Sequence, residues 1–134
     1  MTQTIANVTL LVPDYGAGIA FYVGALGFDL LEDTRLSETK RWVRVAPKGA
    51  ESALLLAQAD SPAQVAAIGN QTGGRVGFFL HTDDFERDHA AMTAAGVKFR
   101  EAPRYEPYGT VAVFEDPFGN LWDLIEPKAY DALR

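Results

Sequence analysis

At 134 residues, with 48% hydrophobic and 22% charged composition, the chain suits one compact domain able to bury a sizeable core. A net charge of −6 leaves no basic stripe to displace phosphate counterions, which argues against a nucleic-acid partner. The absence of cysteine excludes disulfides, thiolate metal sites and a cysteine nucleophile. No apolar run is long enough to cross a bilayer, and no basic region followed by an apolar signal core opens the chain, so a cytoplasmic location with no membrane partner is the default expectation.

Residues 4–12 are rich in β-branched and apolar types and predict a strand, with Val8, Leu10 and Val12 on one side and Asn7, Thr9 and Leu11 on the other. Pro13-Asp14 then breaks the strand and caps a helix, in which Ile19, Tyr22, Val23 and Leu26 follow amphipathic spacing. Gly27 stands where a left-handed C-terminal residue belongs. Three further strands are expected at about 28–36, 41–46 and 52–58, the second alternating Val43 and Val45 against Trp42 and Arg44. Ser61-Pro62-Ala63-Gln64 has capping-box spacing with proline at the first helical position, so a short helix should run to about Ile68 and stop at Gly69. Asn70 to Gly74 reads as a flexible joint.

After the joint the pattern begins again. Arg75 to Thr82 predicts a strand, Asp83-Asp84 caps a helix and Gly96 ends it. Gly27 follows Asp14 by 13 residues (27 − 14) and Gly96 follows Asp83 by 13 (96 − 83), an offset of 69 between the halves. The same offset carries the 52–58 strand onto 121–127, inside the stretch Val111 to Glu126, which reads as two strands joined by a turn at Asp116, Pro117 and Gly119. On the return strand Leu121, Asp123 and Ile125 share a face, and a carboxylate among apolar neighbours is expected to meet a polar cleft. The chain is therefore a tandem repeat of strand–helix–strand–strand–strand, an α+β fold: module one spans about 4–58, a connector about 59–74 and module two about 75–127 of a single 1–134 domain.

This repeat, with Leu11-Val12-Pro13-Asp14, Ala20-Phe21-Tyr22, Leu26-Gly27-Phe28 and Glu115-Asp116-Pro117-Phe118-Gly119-Asn120, resembles the vicinal oxygen chelate superfamily of glyoxalase I, extradiol dioxygenases and bleomycin-resistance proteins. The resemblance covers about Thr4 to Pro127. It implies tandem βαβββ modules (the glyoxalase/bleomycin-resistance/dihydroxybiphenyl-dioxygenase-like fold) around a shared cleft, often completed in a homodimer. In the metal enzymes of that family the cleft holds a divalent ion on side chains of the first and last strands of each module. The matching positions here are Asn7, Leu54 or Leu55 depending on register, one of Arg75, Val76 and Gly77, and Asp123. Zinc and iron sites want imidazole and hard cations want several oxygens, so neither a metal site nor a cofactor is expected.

Asp123 is then a relic metal position, a general base, or a counter-charge for a cationic ligand; the plainer reading is a carboxylate satisfied by Arg44 or Arg75. His81 shares the expected face of Arg75, Gly77 and Phe79 and carries an imidazole, the side chain most used as a general acid or base, so it joins Asp123 as a catalytic candidate, against a plain strand-end role. Ligand-binding candidates are Asn7, Arg44, Trp42 and Phe79 on cleft-facing strands, Arg75 at a strand entry, and Arg104, Tyr105 and Tyr108 in the loop from Pro103 to Gly109. Two functions follow: a metal-free protein that binds a small organic molecule, or a lyase, isomerase or dioxygenase using Asp123 and His81 with an atypical metal or as acid and base. A third reading, a ferredoxin-like dimer, requires βαββαβ order and conflicts with three strands between the first two helices.

Overall fold

The computed structural model describes residues 2–128. These form two compact units that meet in sequence at Ile68 and Gly69, inside the expected connector. The first unit comprises β1 (Asn7–Val12), α1 (Tyr15–Ile19, continued by a π-helical segment Ala20–Ala25), β2 (Asp29–Arg35), β3 (Arg41–Ala46), β4 (Ala53–Gln58) and α2 (Pro62–Ala67). The second comprises β5 (Phe78–His81), α3 (Phe85–Ala94), β6 (Lys98–Phe99), β7 (Arg104–Glu106), β8 (Gly109–Glu115) and β9 (Leu121–Pro127).

The sheets repeat one topology. Their strand orders are β1-β4-β3-β2 and β5-β9-β8-β6, with β7 also paired to β8, and in each the first strand runs parallel to the last. Parallel neighbours need a long crossover, and the intervening helix and hairpins supply it. The βαβββ modules and the three strands expected in module one are thus present.

The helices α1 and α3 each cover one sheet face with a core built by strand alternation, whereas α2 buries no side chain. In the first unit Leu10, Val12, Val43, Val45 and Leu56 are buried, as are Tyr15, Phe21 and Tyr22 of the helix. In the second an aromatic chain runs from Phe85 through His89, Phe99, Phe114 and Trp122 to Phe78, with successive centroids 4.2–5.7 Å apart. Such pairs contribute about 0.5–1.5 kcal/mol each beyond the area they bury. Glu126 Oε1 accepts the Phe85 N–H at 2.8 Å and so ties the start of α3 to β9.

The helix ends explain a correction to the repeat. Asp14 caps α1, accepting from the Ala17 N–H at 2.7 Å, but the cap of α3 is Asp84, not Asp83. The caps therefore stand 70 residues apart (84 − 14), while Gly27 and Gly96, both at positive φ, stand 69 apart (96 − 27). The first helix has one extra residue between cap and stop, and the π-helical segment absorbs it as a wider turn. That turn also moves the buried stripe to Tyr15, Gly18, Phe21 and Tyr22, leaving Ile19, Val23 and Leu26 only half-buried.

A second difference lies before β5. The expected strand from Arg75 starts only at Phe78, because Gly73 and Gly74 take positive φ and Thr72 Oγ1 bonds the Arg75 carbonyl at 2.6 Å. This closed turn holds residues 72–75 out of the ladder. In α2 Ser61 accepts from the Gln64 N–H, but Gln64 Oε1 takes the Asp60 N–H, one residue before the usual capping-box partner.

Candidate functional site

Strand pairing fixes which positions answer one another. In the first unit Thr9 pairs with Leu55 and Asn7 with Ala53; in the second Phe79 pairs with Asp123. With the cap offset of 70, Thr9 corresponds to Phe79 and Asn7 to Gly77, so Leu55 is the counterpart of Asp123. The four positions of the expected ligand set are therefore Asn7, Leu55, Gly77 and Asp123. Leucine and glycine side chains donate nothing, and this set does not fit a divalent ion. Among the described residues no group of three His, Asp or Glu side chains is placed to hold one.

On the face of the first sheet away from α1, Arg44 is held flat across β4. Its Nε donates to Asn7 Oδ1 at 2.7 Å and its Nη1 lies 2.9 Å from Glu32 Oε1. Trp42 sits two residues along the same strand and is half-buried. Asn7, Arg44 and Trp42 thus share one face, and Glu32 joins them, a residue that sequence reasoning missed. Its signal was the Arg44 pairing register, which requires knowing the β2–β3 bulge between Leu30 and Glu32.

On the face of the second sheet away from α3, Asp123 lies between Phe79 on β5 and Val113 on β8. Its Oδ1 is buried without a hydrogen-bond partner. Burial raises the Asp123 carboxyl above its ordinary range; Arg104 pulls it back and Glu101 pushes it further up. Phe79 is 62% exposed, and His81 stands exposed two pairs further along, opposite Ile125.

Arg104 stands at the margin of that face, opposite Val111. Its Nε donates to Glu101 Oε1 at 3.0 Å and its Nη1 is 3.7 Å from Glu106, while Tyr108, between β7 and β8, is 52% exposed. Glu101 was not among the expected residues, yet its Oε2 also takes the Val113 N–H at 3.0 Å where the ladder breaks between β6 and β7. Tyr105 alternates to the side opposite Arg104 and is 78% exposed; Arg75 lies outside β5 in the turn before it. Neither is brought to Asp123 by its strand position. Glu115, half-buried, is ion-paired with Lys98 and Arg100 at 2.9 and 3.1 Å, and Lys98 chiefly holds its carboxyl below the usual range.

Among the described residues no helix is long and apolar enough to cross a membrane. The family model of the Glyoxalase/Bleomycin resistance protein/Dioxygenase superfamily matches residues 4–124. An uncharacterized protein of Shewanella frigidimarina (strain NCIMB 400) is 54% identical over 94% of this chain and 95% of its own length. Among solved structures, TnmS3, an antibiotic binding protein from Streptomyces sp. CB03234, is 34% identical with a TM-score of 0.76, covering 95% of this chain and 98% of that one. UcmS2 is 30% identical with a TM-score of 0.81, covering 94% and 99% respectively. The chain belongs to the Glyoxalase/Bleomycin resistance protein/Dioxygenase superfamily.

Proposed function

We propose that this protein binds a small organic molecule on the sheet faces that turn away from its helices, and that it does so without a bound metal. The observation that carries the reading is Asp123: a buried carboxylate oxygen without a partner, beside an exposed Phe79, is a polar site left for a ligand to complete. The likeness to an antibiotic binding protein over almost the whole chain supports binding of an organic guest, and the exposed Phe79 ring suits a planar one. The homodimer implied by the family resemblance belongs to the same proposal. Thermal shift against a panel of planar aromatic molecules tests binding, and elemental analysis of the same preparation tests the metal. The expected result is a rise in Tm for some members and no stoichiometric divalent ion. One ion per chain, removable by a chelator with loss of thermal stability, overturns the metal-free reading.

A second reading is favoured by one placement, His81 on the same face as Asp123 and two pairs along. In it the two side chains act as acid and base on a small metabolite. Turnover that survives both His81→Gln and Asp123→Asn sinks that assignment.

A further inference from the structure

The region around Asp123 also has a polarity. The β5 neighbour is Phe79 and the β8 neighbour is Val113, and neither offers a side-chain donor. Along β9 the same-face residues are Leu121 and Ile125. The charged groups that act on Asp123 are Arg104 and Glu101, but Arg104 is already bonded to Glu101 and paired with Glu106. The cation is thus balanced by carboxylates, while the acceptor is left open. A group arriving at Asp123 meets a desolvated lone pair with no competing donor among these neighbours. An anion there would meet a carboxylate, and Arg104, the cation that acts on it, is already engaged.

We infer that the ligand presents an N–H or O–H donor to Asp123 and that anionic ligands are rejected at this position. The inference rests on the small-molecule reading above and specifies the chemistry of the guest. Two acridines of the same ring system provide the test: 9-aminoacridine, a cation with N–H donors, and acridine-9-carboxylate. Both are titrated by fluorescence into the full chain, its Asp123→Asn variant and its Phe79→Ala variant. The aminoacridine should bind the native chain at least about tenfold more tightly than the carboxylate. Asp123→Asn should remove most of that preference, and Phe79→Ala should weaken both probes by a similar factor. A carboxylate probe that binds as tightly as the amine, or a preference untouched by Asp123→Asn, overturns the inference while small-molecule binding stands. If neither acridine binds, the inference and the reading beneath it both fall.

Discussion

Arg104 Nε donates to both carboxylate oxygens of Glu101, at 3.0 and 3.1 Å, while Glu101 Oε2 also accepts the Val113 N–H at 3.0 Å. One glutamate therefore closes a gap in the β8 ladder and holds a guanidinium whose field reaches Asp123. Glu101→Ala leaves the Val113 N–H without its partner and should destabilise the fold by about 2 kcal/mol. Glu101→Gln keeps an amide oxygen for that N–H and should cost about half as much. Urea denaturation of the two variants measures the difference, and equal losses would show that the backbone contact is irrelevant.

Asp123→Asn should stabilise the protein at neutral pH. Burial raises the folded carboxyl above its ordinary 3.8, so the folded state holds its proton more tightly than the unfolded chain does. The associated stability is fully present below the unfolded value and is lost as pH rises through the raised folded value. Where the native carboxylate is charged it lacks a partner for one oxygen, and asparagine removes that buried charge, a gain of about 1 kcal/mol or about 3 °C in Tm. The gain should shrink toward zero near pH 4. Thermal denaturation at the two pH values checks the sign; a gain independent of pH contradicts it.

Two glycines at similar φ should respond very differently to alanine. Gly69 has φ 71°, and a Cβ there would run into the Phe118 carbonyl; Gly27 has φ 79° and open space around it. Gly27→Ala therefore carries only the left-handed backbone penalty, about 1 kcal/mol. Gly69→Ala adds a steric clash with a backbone that cannot move freely and should cost about 3 kcal/mol. Chemical denaturation of both variants separates conformational from steric cost.

The π-helical segment invites a deletion. Gly24 lies within it, is exposed, and has nothing within 4 Å of the point where a Cβ would stand. Removing Gly24 should restore α-helical winding and the shorter spacing already found in α3, leaving a cooperative fold within about 2 kcal/mol of the parent. Removing Ala90 from the regular α3 instead rotates the buried Met92 off the sheet and should cost more than about 3 kcal/mol. Circular dichroism with urea titration compares them.

Much of the scaffold is legible in the sequence because local chemistry announces it. Asp14, Gly27, Ser61, Gly69 and Gly96 mark helix ends by capping and by left-handed φ, and Asp116 to Asn120 folds as its turn residues require. What local chemistry cannot state is register. Asp83 and Asp84 are equivalent as cap candidates, and only the packed helix chooses between them. That choice decides whether position 76 or 77 answers Asn7, and with it which residue of β4 answers Asp123. Glu101 and Glu32 escape a sequence reading for a related reason: their roles depend on irregularities in pairing that no periodicity encodes. The β-rich run reads back to its flanking glycines and so puts Arg75 in a strand, whereas a side-chain bond from Thr72 keeps that residue in the turn.

Gly77 has a consequence for redesign of this chain. A Cβ at position 77 would stand 2.6 Å from Thr72 Cγ2, the same threonine whose hydroxyl fixes the preceding turn. A coordinating side chain at 77 therefore competes with Thr72 for one space, so giving this chain a donor there takes a change at 72 as well as at 77.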